Sequence, residues 1–251
     1  MKAYLKSNVP PILLTFVLFA VWQIAAARMN AAYILPTPVQ IIEKLWVLRE
    51  PLFKVHLPAT MAVTMLGLLI SLVLGLGLAV LMDVSHIARK ALYPLIITSQ
   101  TIPTTAIAPL FVLWFGYGIW SKVLVTVLIT FFPITITVYD GFRGMPQETG
   151  ELLKTFGASG RDIFIKLKVP AALPNFFSAI KMAIPISIIG AAIGEWLGAQ
   201  SGLGYFSRRM MTQLDGAGVF APIVLLSIVA ALLAGMAALL ERIFIKWRGK
   251  T

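Results

Sequence analysis

Cysteine is absent from this sequence, and histidine occurs only at His56 and His86. Without cysteine there is no disulfide framework, no thiolate nucleophile and no cysteine metal site. The two histidines lack partners at ligand spacing and stand beside the ends of apolar runs. They read as interfacial residues, and neither a metal nor a cofactor is expected. Charge is scarce as well, at 12% of residues, where a soluble domain carries roughly 25%. There is no G-x-x-x-x-G-K-[ST] phosphate loop, so the chain is not expected to bind or hydrolyse ATP itself. A membrane-embedded enzyme would need a catalytic cluster, and no paired histidines, Ser–His pair or carboxylate couple is found.

What the chain has in abundance is apolar length. Hydrophobic residues make up 59% of its 251 positions, and mean hydropathy is +0.90. That leaves too little polar surface to cover a water-facing protein. A spanning helix needs about 20 mostly apolar residues, and six segments meet or approach that length: 9–27, 57–82, 91–115, 119–139, 176–197 and 219–240. The expected fold is therefore all-α and polytopic, one transmembrane domain over 1–251 with about six spans. The N-terminus has the positive start and apolar run of a signal peptide. Its run is long enough to span and further spans follow, so an uncleaved first helix is expected.

The net charge of +11 is placed for a membrane rather than for nucleic acid, because Lys and Arg sit in short runs between apolar stretches. With both termini in the cytoplasm, the inner side collects Lys2, Lys6, Arg89, Lys90, Arg143, Lys154, Arg161, Lys166, Lys168, Arg242, Lys246, Arg248 and Lys250. The outer side receives fewer: Arg28, Lys44, Arg49, Lys54, Lys122, Arg208 and Arg209. Positive charge favours the inside, which sets this orientation.

Within the spans, Gly67, Gly75 and Gly77 are small residues of the kind found where membrane helices pack closely. Pro94, Pro103 and Pro109 break the third span, with Gln100, Thr101, Thr104 and Thr105 between them. Such a segment is either a kinked packing helix or the lining of a cavity. Gln100, Thr101, Pro103 and Thr104 are accordingly candidates for a translocation path. Glu195, near the end of the fifth span, is either a pathway carboxylate or an interfacial residue beside Trp196. Lys181 is expected to snorkel from the cytoplasmic end of that span.

The longest polar interruption is the loop 140–175. Pro146 suits the first turn of a helix, and Gly157 suits the left-handed residue that stops one. Ser159 can cap a second helix, with Asp162 in the position of a capping-box acid, running to about Lys168 before Val169-Pro170. Each helix carries an apolar trio at i, i+1, i+4: Leu152, Leu153, Phe156 and then Ile163, Phe164, Leu167. That spacing places each trio on one helix face. Two linked amphipathic helices make either a hairpin resting on lipid or a knob for a partner protein.

The same stretch resembles the EAA loop of ABC importer permeases. Its Glu-Ala-Ala, Gly, branched apolar and Leu-Pro positions correspond to Glu151-Leu152-Leu153, Gly157, Leu167 and Val169-Pro170, with leucine in place of both alanines and of the usual isoleucine, and valine in place of the leucine. LPTPVQIIEKLW followed by HLPAT, IPTTAIAPLFVLWFGYG and GEWLGAQSGLGYF resemble, in order, segments of the nitrate/sulfonate/taurine-type permeases. The arginine usual after the HL of the second helix is missing, since 60–64 is uncharged.

The resemblance implies a bacterial inner-membrane permease of the type I importer fold. Two permease subunits, here a homodimer, would form the pore above a separate ABC ATPase. An extracytoplasmic substrate-binding protein would deliver the solute. It also implies that Glu151, Leu152, Leu153, Phe156, Gly157, Ala158, Arg161, Phe164, Leu167 and Pro170 couple the pore to the ATPase. Relatives of this type import nitrate, sulfonates, taurine, riboflavin and pyrimidine precursors of thiamine. The E-W-L-G-A run at 195–199 points toward the hydroxymethylpyrimidine or vitamin branch. A proton-coupled carrier is the rival of another class, using Glu195 and Lys181, but it would not need the paired loop helices.

Overall fold

A computed structural model describes residues 2–245, and every regular element among them is a helix. Lys246, Arg248 and Lys250, counted above among the inner charges, lie outside the described residues, as do the side chains of Lys2 and Lys6. In chain order the helices are α1 (Lys2–Met29), α2 (Pro38–Val47), α3 (Arg49–Val84), α4 (His86–Ser99), α5 (Thr104–Phe115), α6 (Ile119–Arg143), α7 (Gln147–Thr155), α8 (Gly160–Gly198), α9 (Leu203–Thr212) and α10 (Gly216–Phe244). Pro10–Met29 of α1 and the whole of α3, α6, α8 and α10 are long and apolar enough to cross a membrane.

The third expected span, 91–115, is not one kinked helix. It is the pair α4 and α5, bent by 98°. Of its three prolines only Pro103 makes the break; Pro94 and Pro109 stay inside helices. Pro103 has no N–H to continue the ladder, and it disfavours helix at the residue before it. It sits extended (φ −61°, ψ 115°) as the N-cap of α5. The end of α4 tightens instead, Gln100 and Thr101 donating to the carbonyls of Ile97 and Thr98, three residues back.

Both α3 and α8 contain one widened turn. In α3 the Leu57 N–H donates to the Leu52 carbonyl, and in α8 the Val169 N–H donates to Phe164, in each case five residues back. The second of these resolves an expected break: the second loop helix does not stop before Val169-Pro170 but runs on as α8. A proline ring would clash with the carbonyl four residues earlier in an ordinary helix, and a π turn at that point makes room for it.

The chain comprises two compact units, residues 1–59 with 201–226, and residues 60–200 with 227–251. In the first, the segment before α2 is tied down by Trp22, whose Nε1 donates to the Pro36 carbonyl at 3.1 Å. Thr37 and Gln40 form a reciprocal capping box at the start of α2. His56 is buried rather than interfacial: its Nδ1 accepts the Gly202 N–H at 3.1 Å, and its ring lies 4.8 Å from that of Phe206. Lys44 pairs with Asp215 at 2.7 Å. Burial works to raise the Asp215 carboxyl, but the Lys44 hydrogen bond, the Gly218 N–H and the Lys44 charge together outweigh it and hold the group below the usual carboxylate range.

The second unit is built on α6, which runs between α3 and α8. Thr126 marks a close approach on both sides. A Cβ placed on Gly67 of α3 would stand 2.5 Å from its Cγ2, and one on Gly190 of α8 would stand 2.9 Å from its Cα. A mid-helix glycine costs about 1 kcal/mol against alanine. Here it permits backbone-level contact, which drives helix association where no hydrophobic effect operates. Gly75 plays the same part against Ile134, while Gly77 has nothing within 4 Å in the described chain. Val63, Val123, Val127 and Ala191 complete the seam. Lys181 pairs with Glu241 of α10 at 2.6 Å, and the Phe177 and Phe244 rings stack at 6.0 Å.

Candidate functional site

The loop between α6 and α8 is an elbow with two unlike arms. The first arm is α7, which ends at Gly157 with φ +81°. Gly157 donates to the Lys154 carbonyl and Ala158 to that of Leu153, the paired bonds of a Schellman stop, which needs a left-handed residue at this place. The second arm is the start of α8. Ser159 Oγ accepts the Asp162 N–H at 3.1 Å, and the same hydroxyl donates to the Asp162 carboxylate, so the cap expected from the sequence is present. Lys166 pairs with Asp162 one turn on, at 2.7 Å.

The two apolar trios have opposite fates. In α7, Leu152 and Phe156 are exposed, Phe156 at 79%, and Leu153 is half-buried. In α8, Ile163 is buried and Phe164 lies with its ring 5.4 Å from that of Phe142 at the end of α6. Leu167 faces a cleft of about 310 Å³ inside the elbow, shared with Met145, Pro146 and Asn175. Glu151, Gly157 and Arg161 are exposed around the bend, while Ala158 and Pro170 are half-buried. The structure therefore brings all ten sequence-selected loop residues into one hairpin. It divides them into an open tip and a packed root.

Ion pairing secures the root. Lys168 Nζ reaches both carboxylate oxygens of Asp83, at the end of α3, at 2.8 and 2.9 Å. The Asp83 side chain is only 6% exposed. A buried carboxylate of this kind costs several kcal/mol unless its partner is in place, so the pair holds the loop and the end of α3 together. Asn175 Nδ2 adds a hydrogen bond to the Thr137 carbonyl at 3.4 Å. Sequence reasoning missed Asp83, Phe142 and Asn175. The one signal available was that Asp83 ends a charge-free run beginning after His56.

The path candidates fall at two places. Gln100, Thr101 and Pro103 are exposed at the 98° break and Thr104 is half-buried there. Glu195 is 1% exposed, packed within the chain. It follows Gly194, whose Cβ position is 2.9 Å from the Lys122 Cα near the start of α6, at the end of α6 away from the loop.

A family described as "Binding-protein-dependent transport system inner membrane component" matches residues 71–246. The chain belongs to this family. It is the permease subunit of an ABC importer and a multi-pass membrane protein. The formylaminopyrimidine transport permease protein ThiX of Halalkalibacterium halodurans is 52% identical over 242 residues, covering 96% of each chain. The riboflavin transport system permease protein RibX of Chloroflexus aurantiacus is 32% identical over 219 residues, covering 86% of this chain and 81% of the relative. The inward-facing MetNI methionine ABC transporter shares the fold, with a TM-score of 0.64 at 20% identity over 73% of this chain and 92% of its own. The proton-coupled carrier reading ends with this family membership.

Proposed function

We propose that this permease imports a pyrimidine precursor of thiamine, a formylamino- or hydroxymethyl-substituted aminopyrimidine. The observation that carries this reading is the 52% identity to a formylaminopyrimidine permease over nearly the whole of both chains. The test is uptake of labelled aminopyrimidine into cells expressing the chain with its ATPase and binding protein. Uptake should be competed by excess unlabelled aminopyrimidine and not by taurine or an alkanesulfonate. Competition by the sulfonates alone transfers the role to that branch.

The loop is the coupling element. A tip that exposes Leu152, Phe156 and Arg161, on a root held by Lys168–Asp83 and Phe164–Phe142, is suited to enter a groove on an ABC ATPase and to move as a rigid body. Closure of the ATPase pair would then drive the pore outward. A second copy of this chain completes the pore, and a binding protein supplies substrate at the opposite face. Two ion pairs support a cytoplasmic position for the loop. Lys168–Asp83 puts the α3–α4 turn beside the loop, and Lys181–Glu241 draws the end of α10 toward the loop side of α8. These are the segments rich in Lys and Arg, a bias that favours the cytoplasm for that side. Co-purification with the ATPase tests the coupling role: wild type should retain it and Gly157→Asp should lose it. Uptake by the chain alone in liposomes would overturn it.

A further inference from the structure

A cleft of about 580 Å³ opens between the start of α4 and the end of α6, lined by Arg89, Lys90, Tyr93, Pro94, Tyr139, Asp140 and Arg143. None of the ten coupling residues of the loop and none of the break candidates lines it, although Asp140 and Arg143 belong to the first residues of the loop segment. Three cations face one carboxylate, and among the described residues none of the three forms an ion pair. Asp83, the other acid nearby, is already taken by Lys168. The Arg143 guanidinium is pre-positioned: its Nη1 donates to the Tyr139 hydroxyl at 3.2 Å, and its Cζ lies 6.0 Å from that ring. Tyr139 is buried and Tyr93 leans on it at 5.9 Å, so the cations stand over an aromatic wall.

Such a site suits a phosphate, since guanidinium groups bind phosphate oxygens in paired, directional fashion. Its surroundings decide which phosphate. The cleft lies between the start of α4 and the end of α6, and Tyr93, Pro94 and Tyr139 supply its apolar lining. An aromatic and apolar wall beneath a cationic rim matches a headgroup with its acyl chains below, the arrangement by which basic pockets between membrane helices hold acidic lipids. We propose that this cleft binds the phosphate headgroup of an anionic phospholipid on the coupling-loop side of the membrane. Asp83 ties the loop to the end of α3, and the cleft begins six residues later on α4. A lipid seated there would brace the ground on which the loop is rooted. The proposal is independent of the solute transported.

The test is native mass spectrometry of the full chain released from mixed micelles of phosphatidylglycerol and phosphatidylcholine. Wild type should retain phosphatidylglycerol in preference to phosphatidylcholine. Arg89→Gln/Lys90→Gln/Arg143→Gln should retain at least about tenfold less, in keeping with the attraction of each lost basic residue to an acidic surface. Arg28→Gln/Lys54→Gln/Lys154→Gln, equal in charge change and outside the cleft lining, should retain it like wild type. Arg89→Lys/Arg143→Lys should keep the preference, and the two-lipid competition on wild type needs no variant at all. Equal retention of both lipids, or equal loss in the two triple variants, overturns the proposal. Displacement of the lipid by inorganic phosphate at millimolar concentration reassigns the cleft to a free anion. Unchanged lipid retention with loss of a bound ATPase makes it a protein-docking surface instead.

Discussion

The two arms of the coupling loop carry the same apolar signature and put it to different uses. Leu152, Leu153 and Phe156 repeat the spacing of Ile163, Phe164 and Leu167, yet the first trio faces outward and the second is folded into the root. The difference arises from neighbours, not from helix propensity. The second arm continues into α8, which is pinned against α6 by glycine contacts, so its trio meets Phe142 and the inner elbow. The first arm is followed at once by the left-handed Gly157, which turns α7 away from any such surface. Amphipathicity therefore marks where a partner is needed, and connectivity decides whether that partner is the chain itself or another protein.

Paired aspartate substitutions would separate the two roles most sharply. Ile163→Asp should cost roughly 3 kcal/mol or more, since it buries an unpaired carboxylate, and should lower the melting temperature of the detergent-solubilised chain. Phe156→Asp should leave melting within about 0.5 kcal/mol of wild type while abolishing ATPase co-purification. If Phe156→Asp unfolds the chain and Ile163→Asp does not, the tip and root assignments are reversed.

Next in size is the root clamp. Lys168→Met strands the Asp83 carboxylate at 6% exposure and should destabilise by about 2–3 kcal/mol, the lower part of the range for a broken buried pair because Lys168 is partly exposed. Adding Asp83→Asn should recover at least half of that loss, as a double-mutant cycle on thermal unfolding would report. Additive losses would mean that the two residues do not act as a pair.

A smaller effect is expected at the hinge. Gly157→Ala forces a Cβ into the left-handed region and should cost about 1 kcal/mol, with ATPase stimulation falling more than stability does. Equal stimulation with normal melting would show that the bend can be supplied by other residues.

The smallest effect lies away from the loop and serves as a control. Asp215 titrates below its ordinary value in the folded chain. Its pairing therefore contributes above the unfolded carboxylate pKa of about 4, and that contribution is lost as pH falls through the depressed folded value. Asp215→Asn should lower stability at pH 7 by under about 1 kcal/mol, given the partial exposure of both partners. The variant and wild type should converge below about pH 4. A widening gap on acidification would contradict the Lys44 assignment.

Much of this molecule is written in local pattern. Apolar run length determined the spans, the i, i+1, i+4 trios and Gly157 determined the hairpin, and Gly67 and Gly75 announced the close seam with α6. These features depend on residues within a few turns of one another, where backbone geometry and hydropathy suffice. Only the tertiary structure decided that Pro103 alone breaks its span and that Pro170 is carried through a widened turn. It also decided that Glu195 and His56 are buried, that Lys168 belongs to Asp83, and that Lys181 belongs to Glu241. The ion-pair partners lie 85 and 60 residues apart. No periodicity links positions that distant; they meet because glycine-lined helices bring their ends together, and a buried charge is stable only beside its opposite.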